Sequence, residues 1–178
     1  MGRIEGSESE RTRLREISDA DTDHIIKWRN SSQVRDFFIF QGVLTPEIHR
    51  NWLRTKVETG DVVQFIIVEK ATGRDVGTVY LRDIDRINQN AEFGIYIGEL
   101  SARGKGLGKD AARLICRYGL EELALNHIYL RVLAGNSAAI HCYESVGFRS
   151  EGVLRQHCIK NGVFCDVALM GLLKPELV

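Results

Sequence analysis

The stretch with the strongest chemical signal runs Glu92-Phe-Gly-Ile-Tyr-Ile-Gly-Glu-Leu-Ser-Ala-Arg103-Gly-Lys-Gly-Leu-Gly108-Lys109. A β-type run leads into a glycine-rich loop, and the loop into a helix. Gly104, Gly106 and Gly108 let backbone amides converge with no side chains in the way. A helix N-terminus beyond them adds partial positive charge. Together they suit an anion such as a phosphate or pyrophosphate. Between Arg103 and Arg117 stand five basic residues (Arg103, Lys105, Lys109, Arg113, Arg117) and one acid, Asp110, an excess of +4. Two phosphate motifs fail on spacing. A Walker loop needs Ser or Thr after its Gly-Lys, and here Asp110 follows Lys109. A dinucleotide fingerprint needs GxGxxG, and the glycines here give GxGxG.

The pattern that fits is Arg/Gln-x-x-Gly-x-Gly/Ala, filled by Arg103, Gly106 and Gly108. About 30 residues later comes Asn136-Ser-Ala-Ala-Ile-His-Cys-Tyr143-Glu-Ser-Val-Gly147-Phe148. With both segments in this order, the chain resembles the GCN5-related N-acetyltransferase (GNAT) superfamily over about residues 11–172. Further markers are Trp28-Arg29-Asn30 with Val34-Arg35, Glu92, and Glu151-Gly152-Val153-Leu154-Arg155 before Asn161-Gly162. They are similar to the branch that holds ribosomal-protein N-terminal, spermidine and amino-sugar-nucleotide acetyltransferases.

The resemblance implies an α/β fold: a mixed, mostly antiparallel sheet splayed between two central parallel strands, with helices on both faces. It implies acetyl-CoA as acyl donor, lying in the split between Ala91–Ile97 and Ile128–Leu133. Backbone groups of Ile95, Tyr96 and Ile97 would pair with the pantetheine arm. Amides of Arg103, Gly104, Lys105, Gly106, Leu107 and Gly108, with Lys109 at the helix start, would hold the pyrophosphate. Asn136 would bond the cofactor arm, and Ala139 would pack beside it. Tyr143 stands where the family often has a general acid for the leaving thiolate, and Glu92 is the candidate base for the attacking amine. No cysteine occupies a matching position, so direct transfer in a ternary complex is expected.

Each residue also has a plainer reading. Glu92 could be a surface acid or a substrate contact, and Tyr143 a core aromatic. Trp28 and Trp52 read first as packing residues. Arg29 and Arg35 read first as solvated charges, although they could meet an anionic substrate such as a nucleotide sugar. Trp28, Arg29, Phe38 and Glu92 are the candidate acceptor contacts, with Asp36-Phe37-Phe38-Ile39-Phe40 lining the acceptor side. The acceptor would be a primary amine, either a small molecule or a protein N-terminus. A rival reading is a non-catalytic acyl-CoA sensor.

The elements that must position these residues follow from periodicity. Residues 11–17 read as a strand, and Ser18 with Asp21 as the cap of a helix to about Asn30. Thr45-Pro46-Glu47 starts a second helix. Val62–Glu69 and Val76–Ile84 form a hairpin, and Asn90–Ile97 is a further strand. Leu107, Ala111, Leu114, Ile115 and Tyr118 mark one apolar face of a helix running to about Leu125. Then follow a strand at Ile128–Leu133, a short helix at Ser137–Ser145 and two strands about Asn161-Gly162, at 150–159 and 163–172.

At 178 residues, with 44% hydrophobic and 27% charged, one soluble domain over 11–178 is expected. Residues 1–10 read as a disordered tail or a vector-derived remnant. The 24 basic and 24 acidic residues cancel, which disfavours bulk nucleic-acid binding. No apolar run could span a bilayer, so the expectation is a cytoplasmic protein without a membrane partner. The four cysteines show no CxxC or zinc-like spacing, and no metal is expected. Homodimers are common in the family, and a strand near 163–172 could supply an open edge.

Overall fold

The computed structural model describes residues 8–178. Its strands are β1 (Thr12–Glu16), β2 (Val63–Glu69), β3 (Arg74–Asp85), β4 (Asn90–Ile97), β5 (His127–Leu133), β6 (Arg149–Lys160) and β7 (Val163–Leu173). Its helices are α1 (Thr22–Asn30), α2 (Ser32–Arg35), α3 (Pro46–Trp52), α4 (Leu107–Glu121) and α5 (Ser137–Glu144). The strands form one sheet in the order β1-β2-β3-β4-β5-β7-β6. Among the described residues only β4 and β5 pair in parallel, and α4 is the crossover between them.

β2 is buried along its whole length because the sheet is covered on both faces there. On one face Phe65, Ile67, Leu81, Phe93, Ile128, Leu130 and Leu172 meet Leu107, Ala111 and Ile115 of α4. Burying each such side chain fully contributes about 1.5–3 kcal/mol. Gly119 lets the helix come close: a Cβ there would stand 2.8 Å from Leu81 and 3.0 Å from Ile128. The other face carries α1, whose Ile25 and Trp28 pack with Ile66.

The sequence missed α2, a single turn after Ser31. Ser31 spends its hydroxyl on the Trp28 carbonyl rather than on the α2 amides, so no cap signal marks the start. Ser18 and Asp21 do bond to each other, with the Asp21 carboxylate accepting from the Ser18 amide at 2.8 Å. They enclose a 3₁₀ turn at Asp19–Asp21, one step before α1. The expected open edge at 163–172 is wrong: β7 lies between β5 and β6, and the open edges are β1 and β6. The 163–172 segment follows a tight turn from β6, and its register carries it back against β5. Of the expected tail, residues 1–7 fall outside the described residues. Ser9 donates its hydroxyl to Asp110 at 2.8 Å.

Candidate active site

The site begins where two strands part. β4 and β5 stay in register only from Asn90↔His127 to Glu92↔Tyr129. β4 runs on to Ile97, and β5 runs on to Leu133 still paired with β7. A gap therefore opens between Phe93–Ile97 and Leu130–Leu133. Gly98 N donates to Val76 O of β3 at 2.8 Å, which fixes the alternation along β4. Tyr96 and Gly94 turn their backbone groups towards β3, whereas Ile95 and Ile97 turn theirs into the gap. The Tyr96 backbone expected to pair with the donor's arm is thus already used by β3. The Ile97 carbonyl is also taken: Arg103 Nη2 and Nε donate to it at 2.9 and 3.2 Å.

Beyond the gap comes the glycine loop. Gly104 and Gly106 have φ of 72° and 79°, a left-handed conformation that other residues rarely adopt. A Cβ at Gly104 would meet nothing within 4 Å, so open space lies above the loop. Gly106 is the N-cap of α4 and offers no side chain to its first turn. The amides of Leu107, Gly108 and Lys109 are therefore left for a ligand. The side chains of the loop do other work. The exposed Arg103 spans to Gln33 O at 3.0 Å as well as to Ile97, tying the loop to β4 and α2. Lys105 pairs with Glu69 at 2.9 Å and holds that carboxyl below its usual range. Arg11 and Ser9 bond Asp110 in the first turn; burial pushes this carboxyl up, but those bonds outweigh it and it lies below its ordinary value. Of the five cations, Lys105 is paired with a carboxylate and Arg103 is spent on carbonyls, so the loop itself offers an anion backbone amides. Lys109 is half-buried and has no ion-pair partner among the described residues.

α5 brings Tyr143 to the fork. Its ring meets Phe93, the first β4 residue beyond the last pair, edge-on at 5.8 Å. Phe148 closes the aromatic trio at 6.0 Å from Tyr143. Burial pushes the phenol up, which keeps it protonated. Among the described residues no group bonds its oxygen. Asn136 caps α5, with Oδ1 accepting from Ala139 N at 3.3 Å, and its amide NH₂ remains to donate.

On the opposite face of the sheet Glu92 is buried but not free. Its Oε1 accepts from Arg131 Nε at 2.9 Å. Its Oε2 accepts from Arg82 Nε and Nη2 at 3.1 and 2.9 Å and from Arg131 Nη2 at 3.0 Å. Two guanidinium groups thus hold this carboxylate by four hydrogen bonds, with one acceptor site left on Oε1, so Glu92 is an ion-pair partner here and not the unpartnered base that was expected. Local pattern carries no warning of this, because Arg82 and Arg131 look like ordinary strand-surface charges. Only the register that sets three strands side by side brings them to Glu92. Trp28 needs correction too. It is 2% exposed, its indole donates to Glu99 at 2.7 Å, and it lies against Gly98. It pins α1 to the end of β4 and packs there. Phe38 is half-buried and meets Tyr96 edge-on at 5.5 Å, with the Arg29 guanidinium 3.8 Å over its ring. An open cleft of about 570 Å³ lies between Asp36-Phe37, the Gly135-Asn136 end of β5 and the Gln156–Asp166 hairpin arms.

A family model described as an acetyltransferase (GNAT) domain matches residues 11–149. The chain belongs to the GNAT acetyltransferase family. This GNAT acetyltransferase is 29% identical over 175 residues to an uncharacterized N-acetyltransferase of Bacillus licheniformis, covering 94% of this chain and 96% of the relative. It is 36% identical over 110 residues to the spermidine N(1)-acetyltransferase of Vibrio cholerae, covering 62% of this chain and 63% of the relative. The crystal structure of the Vibrio cholerae spermidine N-acetyltransferase with CoA and spermine superposes with a TM-score of 0.87 at 26% identity. That superposition covers 94% of this acetyltransferase and 98% of that chain. The sheet split between its parallel pair is the fold the sequence resemblance implied.

Proposed function

We propose that this GNAT enzyme transfers acetyl from acetyl-CoA to a primary amine by direct attack, with Tyr143 as the proton donor. The observation that carries the reading is the position of Tyr143: a half-buried phenol without a partner at the fork of the split sheet. Acetyl-CoA supplies an acetyl carbonyl activated as a thioester. The residues fit such a donor. Free amides at Leu107–Lys109 above an open glycine loop suit its phosphates, with Lys109 adding charge. The Ile95 backbone faces the gap and suits an extended amide-bearing arm, and the Asn136 NH₂ lies at the far side of that gap. As the neutral amine bonds to the acetyl carbon and the carbon–sulfur bond breaks, the Tyr143 phenol gives its proton to the departing sulfur and spares the release of a bare thiolate; the proton shed by the nitrogen passes to water, from which the phenolate is refilled. Glu92 acts by position: it holds Arg82 and Arg131 in place on the acceptor side and does not itself take the amine's proton.

The test is Tyr143→Phe. Thiol release with a broad amine panel should fall about 10²–10⁴-fold in kcat, the usual worth of a positioned proton donor. Acetyl-CoA affinity, read by calorimetry, should hold. Equal kcat in the variant would refute the assignment. Tight acetyl-CoA binding with no thiol release for any amine would point instead to a sensor.

A further inference from the structure

The acceptor side holds a charge with no counter-charge. Arg29 on α1 is 8% exposed. Its Nη2 donates to the Phe40 carbonyl at 2.7 Å, its Nη1 is buried with no partner, and Phe38 lies under its plane. Among the described residues no carboxylate lies within ion-pair distance of it. A buried guanidinium without a counter-ion is costly, because the protein has removed its water and put no anion in its place. Desolvation accordingly pulls Arg29 down from its usual value, and the neighbouring Arg35 adds to the effect.

The surroundings add positive charge rather than offset it. Tyr80, whose ring fills the space over Gly94, feels Arg29, Arg82, Arg131 and Glu92 together. Three cations and one anion therefore surround one phenol. Lys160, at the tip of the β6–β7 hairpin, is pulled below its usual value chiefly by burial, with Arg29 adding a little; its Nζ donates to the carbonyls of Arg35, Asp36 and Phe38. Of the acids nearby, Asp36 sits beside Lys160, and Asp166 accepts from the Gln156 amide at 2.7 Å. Neither reaches Arg29.

We propose that the acceptor amine carries a carboxylate or phosphate elsewhere in the same molecule, and that Arg29 Nη1 binds that group and selects for it. This rests on the amine-acetylation reading above and narrows its substrate class. Phe38 and the Phe40 carbonyl cover the guanidinium, so binding at Nη1 requires the 37–41 segment to move aside. A polycation is the wrong acceptor here: its second charge would face an uncompensated arginine. The relative named for spermidine is thus a guide to the chemistry and not to the acceptor.

The experiment compares matched acceptors by thiol release from acetyl-CoA. The pairs are an ω-amino carboxylate against the alkylamine, aminoethyl phosphate against ethanolamine, and a hexosamine 1-phosphate against the hexosamine; spermidine stands alone. The expected result is a kcat/KM at least about tenfold higher for one anionic member over its neutral partner, with spermidine below both; a tenfold preference equals about 1.4 kcal/mol. The carboxylate and phosphate pairs separate the two anion types. In Arg29→Gln that ratio should collapse towards one, chiefly through KM, and in Arg29→Lys it should partly return. A second readout needs no turnover: aminoethyl phosphate with CoA present should raise the melting temperature of the native enzyme and not of Arg29→Gln. Preference for spermidine or neutral amines overturns the proposal, as does a ratio untouched by Arg29→Gln. Absence of turnover with every amine, together with the Arg29-dependent melting shift, would sink the acetylation reading and leave anion binding standing; without that shift both fall.

Discussion

Replacing Glu92 with glutamine separates a clamp from a base. The carboxylate takes one bond at Oε1 and three at Oε2. A glutamine keeps most of these by placing its carbonyl oxygen where Oε2 was. Its NH₂ then faces Arg131 Nε, donor against donor. One charge-assisted hydrogen bond is lost, worth about 1.5–3 kcal/mol. The attraction to two guanidinium groups is lost as well. Their side chains are 34% exposed each, so solvent screening limits this to about 0.2–1 kcal/mol apiece. The total is about 2–5 kcal/mol. In a domain of this size each kcal/mol moves the melting temperature by about 2–4 °C, so a fall of roughly 4–20 °C is expected. Calorimetric unfolding reads this, and kcat against pH is measured beside it. A clamp lowers Tm and leaves the shape of the pH profile intact. An unchanged Tm with loss of the acid limb of kcat would refute the clamp and restore Glu92 as the base.

Two further outcomes follow from the packing. Gly147 has φ 118°, and a Cβ there would stand 2.1 Å from the Glu176 carbonyl oxygen, so Gly147→Ala should cost about 2–4 kcal/mol in urea unfolding by strain and displacement of the C-terminal turn. His49 is buried, its Nδ1 lies 3.0 Å from Thr22 Oγ1, and burial lowers it from 6.5. Its folded value lies below the unfolded one, so the unfolded chain binds the proton first and stability falls as pH drops through about 6.5. Native Tm should therefore gain on His49→Gln between about pH 5 and 7, and parallel curves would refute this.

The backbone features of the proposed donor site were readable from the sequence, because glycines and a helix start mark them by residue type. Gly104, Gly106 and the helix after them announce an anion cradle by residue type alone, and the structure opens space above Gly104. Tyr143 was readable as part of a segment, and α5 sets it against Phe93. The acceptor side was not readable. The grip of Arg82 and Arg131 on Glu92 depends on strand register across three strands, which local pattern does not encode. Burial of Arg29 depends on a turn folding back over it, and composition gives no sign of that. Trp28 and Arg29 are neighbours on α1 with different surroundings, one packing against Gly98 and one held against Phe38, because consecutive helical residues diverge by about 100°.

Lys160 holds three carbonyls at the end of α2, across more than a hundred residues of chain. In the proposed assignment, the acceptor wall is thereby fastened by the last hairpin, whereas the donor cradle is built of main chain in the middle of the sequence. Substituting side chains around the cradle changes little that the donor touches. Altering the Asn161-Gly162 turn, or the lysine before it, re-seats the acceptor wall while the donor cradle stays as it is. Divergence in this lineage should therefore concentrate in α1, α2 and the β6–β7 hairpin, and new acceptors can arise there without renegotiating the donor.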